Sequence, residues 1–120
     1  MYLENSKTII VKIGSSLIID DKKIIRKKWL LEFAKDIKSL RKKNKNIIIV
    51  SSGAIALGCK KLNITKKKLK IDQSQAVASV GQIELMNLFK EVFAIQKINI
   101  SQILLTLEAV SYTHLTLPTR

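Results

Sequence analysis

The chain has 120 residues, 47% hydrophobic and 26% charged, a balance that supports one modest globular core and excludes a disordered polypeptide. No run approaches the roughly 20 apolar residues of a membrane helix, "MYLENSK" is not a secretory leader, and a lone cysteine rules out an internal disulfide, so a cytoplasmic protein without a membrane partner is expected. The net charge of +13 sits mostly on lysines in "DDKKIIRKKW", "LRKKNK" and "CKKLNITKKKLK", with little aromatic interleaving to stack bases, and reads as solvated surface rather than a nucleic-acid interface.

The first element is "TIIVKI", Thr8 to Ile13, a β-branched run of strand type and length that stops at Gly14. A helical pattern is expected from Asp20, with Asp20 or Asp21 as its cap. Leu30, Phe33, Ala34, Ile37 and Leu40 recur at helical spacing, and Lys35, Lys38, Arg41 and Lys42 occupy the other side. "NIIIV", Asn46 to Val50, is a second strand whose unbroken apolarity predicts burial on both faces, as in a parallel sheet. "SSGAIALG" is a turn into a short helix that Gly58 would end. "DQSQAVASVGQIELMNLFKEVFAIQ" is a further helix, broken or closely packed at Gly81, and "INISQILLT", Ile98 to Thr106, a third strand. Strand, helix, strand, helix, strand is the doubly wound α/β pattern, with right-handed crossovers expected.

One residue breaks the apolar character of the first strand. Side chains alternate along a strand, so Lys12 shares a face with Ile10, opposite Ile9, Val11 and Ile13. A buried ammonium without a partner would cost several kcal/mol. That cost falls if Lys12 meets an anion at the carboxyl end of the strand, where ligands bind in open parallel sheets. Gly14 lets a phosphate approach the backbone, and Ser15 and Ser16 add hydroxyl and amide donors. The plainer alternative is a lysine that snorkels from a strand end beside an ordinary turn. "IIIVSSGAIALG" repeats the arrangement: buried strand, then Ser51, Ser52 and Gly53, then a helix start whose free amides favour a carboxylate or phosphate. Ser51 or Ser52 as a simple N-cap is compatible with that role. Two such turns on one sheet edge suit phosphoryl transfer, in which catalysis is positioning and charge neutralisation. Neither turn is a Walker loop, and no G-x-G-x-x-G is present.

"VKIGSS", "IIIVSSGAIALG", "VASVGQ" and "QILLT", in this order and spacing, resemble the amino-terminal part of the glutamate 5-kinase family, in the amino acid kinase superfamily. The resemblance runs from about Lys7 to Leu107. It implies a three-layer α/β sandwich with a mainly parallel sheet, truncated here. It further implies ATP-dependent phosphorylation of the L-glutamate γ-carboxylate, the first step of proline biosynthesis, with Mg2+ as the accompanying ion. On this resemblance Lys12 is the catalytic lysine at the ATP phosphates, and Gly14 and Ser15 belong to the phosphate turn. Ser52, Gly53 and Ala54 form the glutamate turn, and Val80 to Gln82 packs a helix beneath the site without chemistry of its own. The family's second catalytic lysine, most of its nucleotide pocket and its metal ligands have no counterpart here, so this polypeptide alone is expected to be inactive. A homo-oligomer is implied for the full-length protein. Kinases of other carboxylates or of phosphate acceptors, and a basic nucleic-acid-binding module, are the competing classes.

The remaining distinctive residues read as structural. Trp29 and Phe33 are expected in the core, with Met86, Phe89 and Phe93 on the buried stripe of the last helix, and Cys59 is a small residue near a helix end. Glu84 is expected to be solvated. Residues 1–108 are read as the kinase portion. "AVSYTHLTLPTR", residues 109–120, lacks isoleucine and lysine yet holds the only proline and the only histidine. It reads as a non-native tail, and His114 is given no catalytic role.

Overall fold

A computed structural model describes residues 7–102 except 66 and 68. The expected tail and residues 103–106 of the expected third strand lie outside the described residues. Two strands, β1 (Thr8–Ile13) and β2 (Asn46–Ser51), are joined by helix α1 (Lys27–Lys42). Helices α2 (Ala54–Leu62) and α3 (Ile71–Ile95) follow. The strands pair in parallel, in a register that runs from Thr8 opposite Asn46 to Ile13 opposite Ser51. Parallel strands need a crossover, and α1 supplies it.

Alternation divides the sheet. Ile9 and Ile13 are buried, and Val11, Ile47 and Ile49 pack on a core that includes Leu30, Ala34, Ile37, Leu57, Val92 and Phe93. Burying a side chain of this size contributes about 1.5–3 kcal/mol relative to leaving it in water. Ile10, Ile48 and Val50 share the other face with Lys12 and remain 66%, 51% and 49% exposed. Burial on both faces, expected from the unbroken apolar run of β2, is therefore not observed. No described element covers this second face, so two layers of the expected three-layer arrangement are present among the described residues.

The helical stripe of α1 is as expected: Leu30, Ala34 and Ile37 are buried, with Phe33 and Leu40 half-buried. Its beginning differs. α1 starts at Lys27, after Arg26, and no side chain caps it. Asp20 instead closes a turn, its Oδ1 accepting from the amides of Lys22 and Ile24, both at 2.9 Å, while Ile19 bridges to Ile25. A short acidic side chain offers the backbone this local alternative to a helix, and it wins here.

Gly58 does not end α2. The helix continues to Leu62 and stops at Asn63, which takes the left-handed conformation (φ 55°). Gly58 and Gly81 are instead the points at which α2 and α3 touch. A Cβ added at Gly58 would lie 2.1 Å from the Val77 carbonyl oxygen, and one at Gly81 only 1.5 Å from that of Ala54. α3 is unbroken through Gly81, so close packing, not a break, explains that glycine. Phe89 and Phe93 are buried on α3, with Met86 half-buried beside them. Trp29 and Phe33 stack at 5.3 Å, and Phe33 meets Phe93 edge-on at 6.3 Å. Lys27 pairs with Glu91 and links α1 to α3. Ile98 and Ile100 pack against the core, but the described part of the expected third strand, 98–102, is not a strand.

Candidate phosphate-transfer rim

Because β1 and β2 are parallel and in register, both carboxyl ends open on the same rim. Ile13 leads into Gly14 and a 3₁₀ turn at Ser15–Leu17, while its ladder partner Ser51 leads into Ser52 and Gly53. The two turns abut. A Cβ at Gly53 would sit 3.6 Å from both Cα and Cβ of Ser15 and 3.5 Å from Ile18 Cδ1. Gly53 has φ 118°, a left-handed conformation that a side chain would strain, so the sharp turn into α2 requires glycine.

In the 3₁₀ turn, the amides of Leu17, Ile18 and Ile19 donate to the carbonyls of Gly14 and Ser15 at 3.0–3.1 Å. The amides of Ser15 and Ser16 donate to no carbonyl among the described residues, nor does that of Gly53. The Ser52 amide is engaged with the Ile13 carbonyl at 3.3 Å and ties the turns together, so its hydroxyl is the part of this exposed residue left for a ligand. Ser51 Oγ donates to the Ser52 carbonyl at 3.0 Å. Neither serine is the N-cap expected from the sequence. That position is Gly53, without a side-chain cap, which leaves the first-turn amides of α2, from Ala54 onward, without intrahelical partners. Such a terminus attracts anions.

Lys12 stands opposite Val50, one residue before β1 ends. Its side chain is exposed and has no hydrogen-bond or ion-pair partner among the described residues. The burial cost expected for it is thus absent on this uncovered face. The rim brings together Lys12, Gly14, Ser15, Ser52, Gly53 and Ala54, all six residues singled out from the sequence. Two concavities among the described residues, of about 390 and 550 Å3, lie against α2, α3 and the loop between them, and none of the six lines either.

The donors of the rim are an ammonium, hydroxyls and amides. Magnesium favours carboxylate and phosphate oxygens, and no group of three potential metal-binding His, Cys, Asp or Glu side chains occurs among the described residues. The rim residues fit an anion and do not fit a magnesium site.

The amino acid kinase family model matches residues 7–117. The chain belongs to the amino acid kinase family. Its α/β fold, with a parallel sheet and three helices among the described residues, is consistent with that family. It is 76% identical over 108 residues to the glutamate 5-kinase of Pelagibacter ubique (strain HTCC1062), covering 90% of this chain and 29% of the relative. Identity is 43% over 107 residues to the glutamate 5-kinase of Ruegeria sp. (strain TM1040), and 42% over 107 residues to that of Bradyrhizobium diazoefficiens. Each of these two matches covers 88% of this chain and 29% of the relative. The chain therefore spans under a third of the length of these amino acid kinases. No described helix is long and apolar enough to cross a membrane. Of the other residues considered, Glu84 is half-buried and pairs with Lys61 at 3.6 Å, linking α3 to α2, and Cys59 is buried.

Gly14 separates the needs of the fold from those of a ligand. Its φ is −75° and its ψ 159°, and a Cβ there would meet nothing within 4 Å. Alanine fits this backbone, so Gly14→Ala is expected to leave stability unchanged or raise it by up to about 1 kcal/mol. If Gly14 adjoins the ATP phosphates, as the family resemblance implies, the added methyl is expected to lower kcat/KM for ATP by about 10- to 100-fold. Urea unfolding of this chain checks the first expectation. The second is read in a hybrid kinase, in which residues 7–102 replace the matching segment of the Pelagibacter ubique relative.

Proposed function

We propose that the chain is the amino-terminal part of an enzyme that phosphorylates the γ-carboxylate of L-glutamate with ATP, at the entry to proline biosynthesis. The observation that carries this reading is the abutment of the Gly14–Ser16 turn against Gly53, beside an unpartnered lysine. The 76% identity to a glutamate 5-kinase supports glutamate as the acceptor. Lys12, Gly14 and Ser15 take the ATP phosphates, and Ser52, Gly53 and Ala54 take glutamate. A γ-carboxylate oxygen attacks the γ-phosphorus, the bond to the β,γ-bridging oxygen breaks, and ADP leaves γ-glutamyl phosphate behind. The chain's own contribution is to hold two anions side by side and neutralise the charge on the transferred group.

The rim alone does not supply walls for adenine or ligands for magnesium, so the 120-residue chain on its own is inactive under this reading. The test assays ADP release and hydroxylamine trapping of the acyl phosphate, for the chain and for the hybrid kinase. Glutamate, aspartate and N-acetylglutamate are each offered as acceptor. Turnover by the hybrid with glutamate and none by the chain is expected. A hybrid that folds but prefers another acceptor overturns the choice of substrate, and turnover by the chain alone overturns its inactivity.

A further inference from the structure

The basic residues of this chain number 22, and only three are arginines. The two among the described residues are each used as a clamp on a backbone carbonyl: Arg41 Nη1 donates to the Lys45 oxygen, and Arg26 Nε to the Ser16 oxygen, both at 2.7 Å. Arg26 grips the rim. Its backbone amide also donates to the Ile18 carbonyl at 2.8 Å, so side chain and main chain together bracket the 3₁₀ turn from both sides of Leu17. Its own carbonyl accepts from Leu30 at 3.0 Å, in the first turn of α1. Arg26 therefore connects a packed helix to the loop that carries Ser15 and Ser16.

We propose that Arg26 is a positioning residue for the phosphate turn, acting through the Ser16 carbonyl on the direction of the Ser16 amide; this rests on the kinase reading above. Beside the turn's own backbone bonds and its contact with Gly53, Arg26 is the one side chain that hydrogen-bonds to it among the described residues. Within it, Ser15 is half-buried, Gly14, Ser16 and Leu17 are exposed, and no side chain caps it. A carbonyl held by a charged donor forms one of the stronger classes of hydrogen bond, and the planar guanidinium fixes direction as well as distance. The Ser16 carbonyl shares one peptide plane with the Leu17 amide, so the Arg26 bond fixes that plane and limits rotation of the preceding plane, which carries the Ser16 amide; amides aimed in advance lose less when phosphate arrives.

The experiment has two arms with Arg26→Ala and Arg26→Lys. In the 120-residue chain, amide hydrogen exchange is read at Leu17, Ile18 and Ile19, with Val92 and Phe93 as core references. Arg26→Ala is expected to speed exchange in the turn by at least about threefold and leave the core unchanged, because the opening is local. In the hybrid kinase, the same substitution is expected to raise KM for ATP by about fivefold with KM for glutamate unchanged, and lysine to recover part of the loss. A purely structural residue would lower the melting temperature without this split. Unchanged exchange in the turn overturns the proposal, and so does an unchanged KM for ATP. A wild-type hybrid without glutamate-dependent turnover defeats the kinase reading instead. The exchange arm then still decides whether Arg26 sets the turn.

Discussion

In the hybrid kinase, Lys12→Ala is expected to lower kcat by about 10²- to 10³-fold, the loss that follows removal of one preorganised charge-stabilising donor. KM for glutamate is expected to stay nearly constant, because the ammonium is assigned to the transferred phosphoryl and not to the acceptor. The fold is expected to be indifferent. The Lys12 side chain is exposed and unpartnered among the described residues, so its removal breaks no hydrogen bond or ion pair there, and surface changes of this kind usually fall within about 0.5 kcal/mol. The comparison needs steady-state kinetics and a thermal melt on the same preparation. A nucleic-acid-binding module would behave differently, with affinity falling steeply in salt and little response to this one lysine. Lys12→Arg is not a neutral control, because a planar fork replaces a compact point charge.

Gly81→Ala is expected to be the most damaging small substitution for the fold. In an exposed helix this change gains about 1 kcal/mol. Here the added Cβ would fall 1.5 Å from the Ala54 oxygen, 2.5 Å from the Ala54 carbonyl carbon and 2.7 Å from the Gly58 nitrogen, all of them backbone. Nothing flexible can swing aside, so α2 and α3 must separate. Overpacking a core typically costs about 1–3 kcal/mol, and a clash with backbone on every side belongs at or beyond the top of that range. Against a total stability of about 5–15 kcal/mol, this shifts the urea midpoint far to lower concentration. Far-UV circular dichroism of the 120-residue chain in urea reads the shift, with Gly14→Ala as the control that adds the same methyl in open space. The effect reaches the rim as well. Ala54 is the first residue of α2 and follows Gly53, so moving its carbonyl displaces the turn assigned to glutamate.

Much of this was legible in particular residues. The β-branched runs at Thr8–Ile13 and Asn46–Val50, and the spacing of Leu30, Ala34 and Ile37, specified two strands and a helix without help from distant contacts. Gly14, Ser52 and Gly53 pointed to paired turns because each follows an apolar strand, and the parallel register places them together. Other features depend on partners that a linear pattern does not contain. Asp20 resembles a helix cap until the bridge between Ile19 and Ile25 shows that its oxygen closes a different turn. Gly58 resembles a helix terminator because its crossing partner at Val77 lies 19 positions away. Unbroken apolarity in β2 speaks of two covered faces, and the described residues cover one. Arg26 was hidden in a lysine-rich run that read as solvated surface. Only its bond to the Ser16 oxygen separates it from its neighbours.

The most direct measurement is a crystal structure of the hybrid kinase with a non-hydrolysable ATP analogue and glutamate bound together. The terminal phosphate is expected against Lys12 and the Gly14–Ser16 turn, with the glutamate γ-carboxylate at Ser52–Ala54 and the reacting atoms about 3–3.5 Å apart. A nucleotide phosphate bound away from Lys12, or a glutamate held out of reach of the phosphate, would contradict this placement.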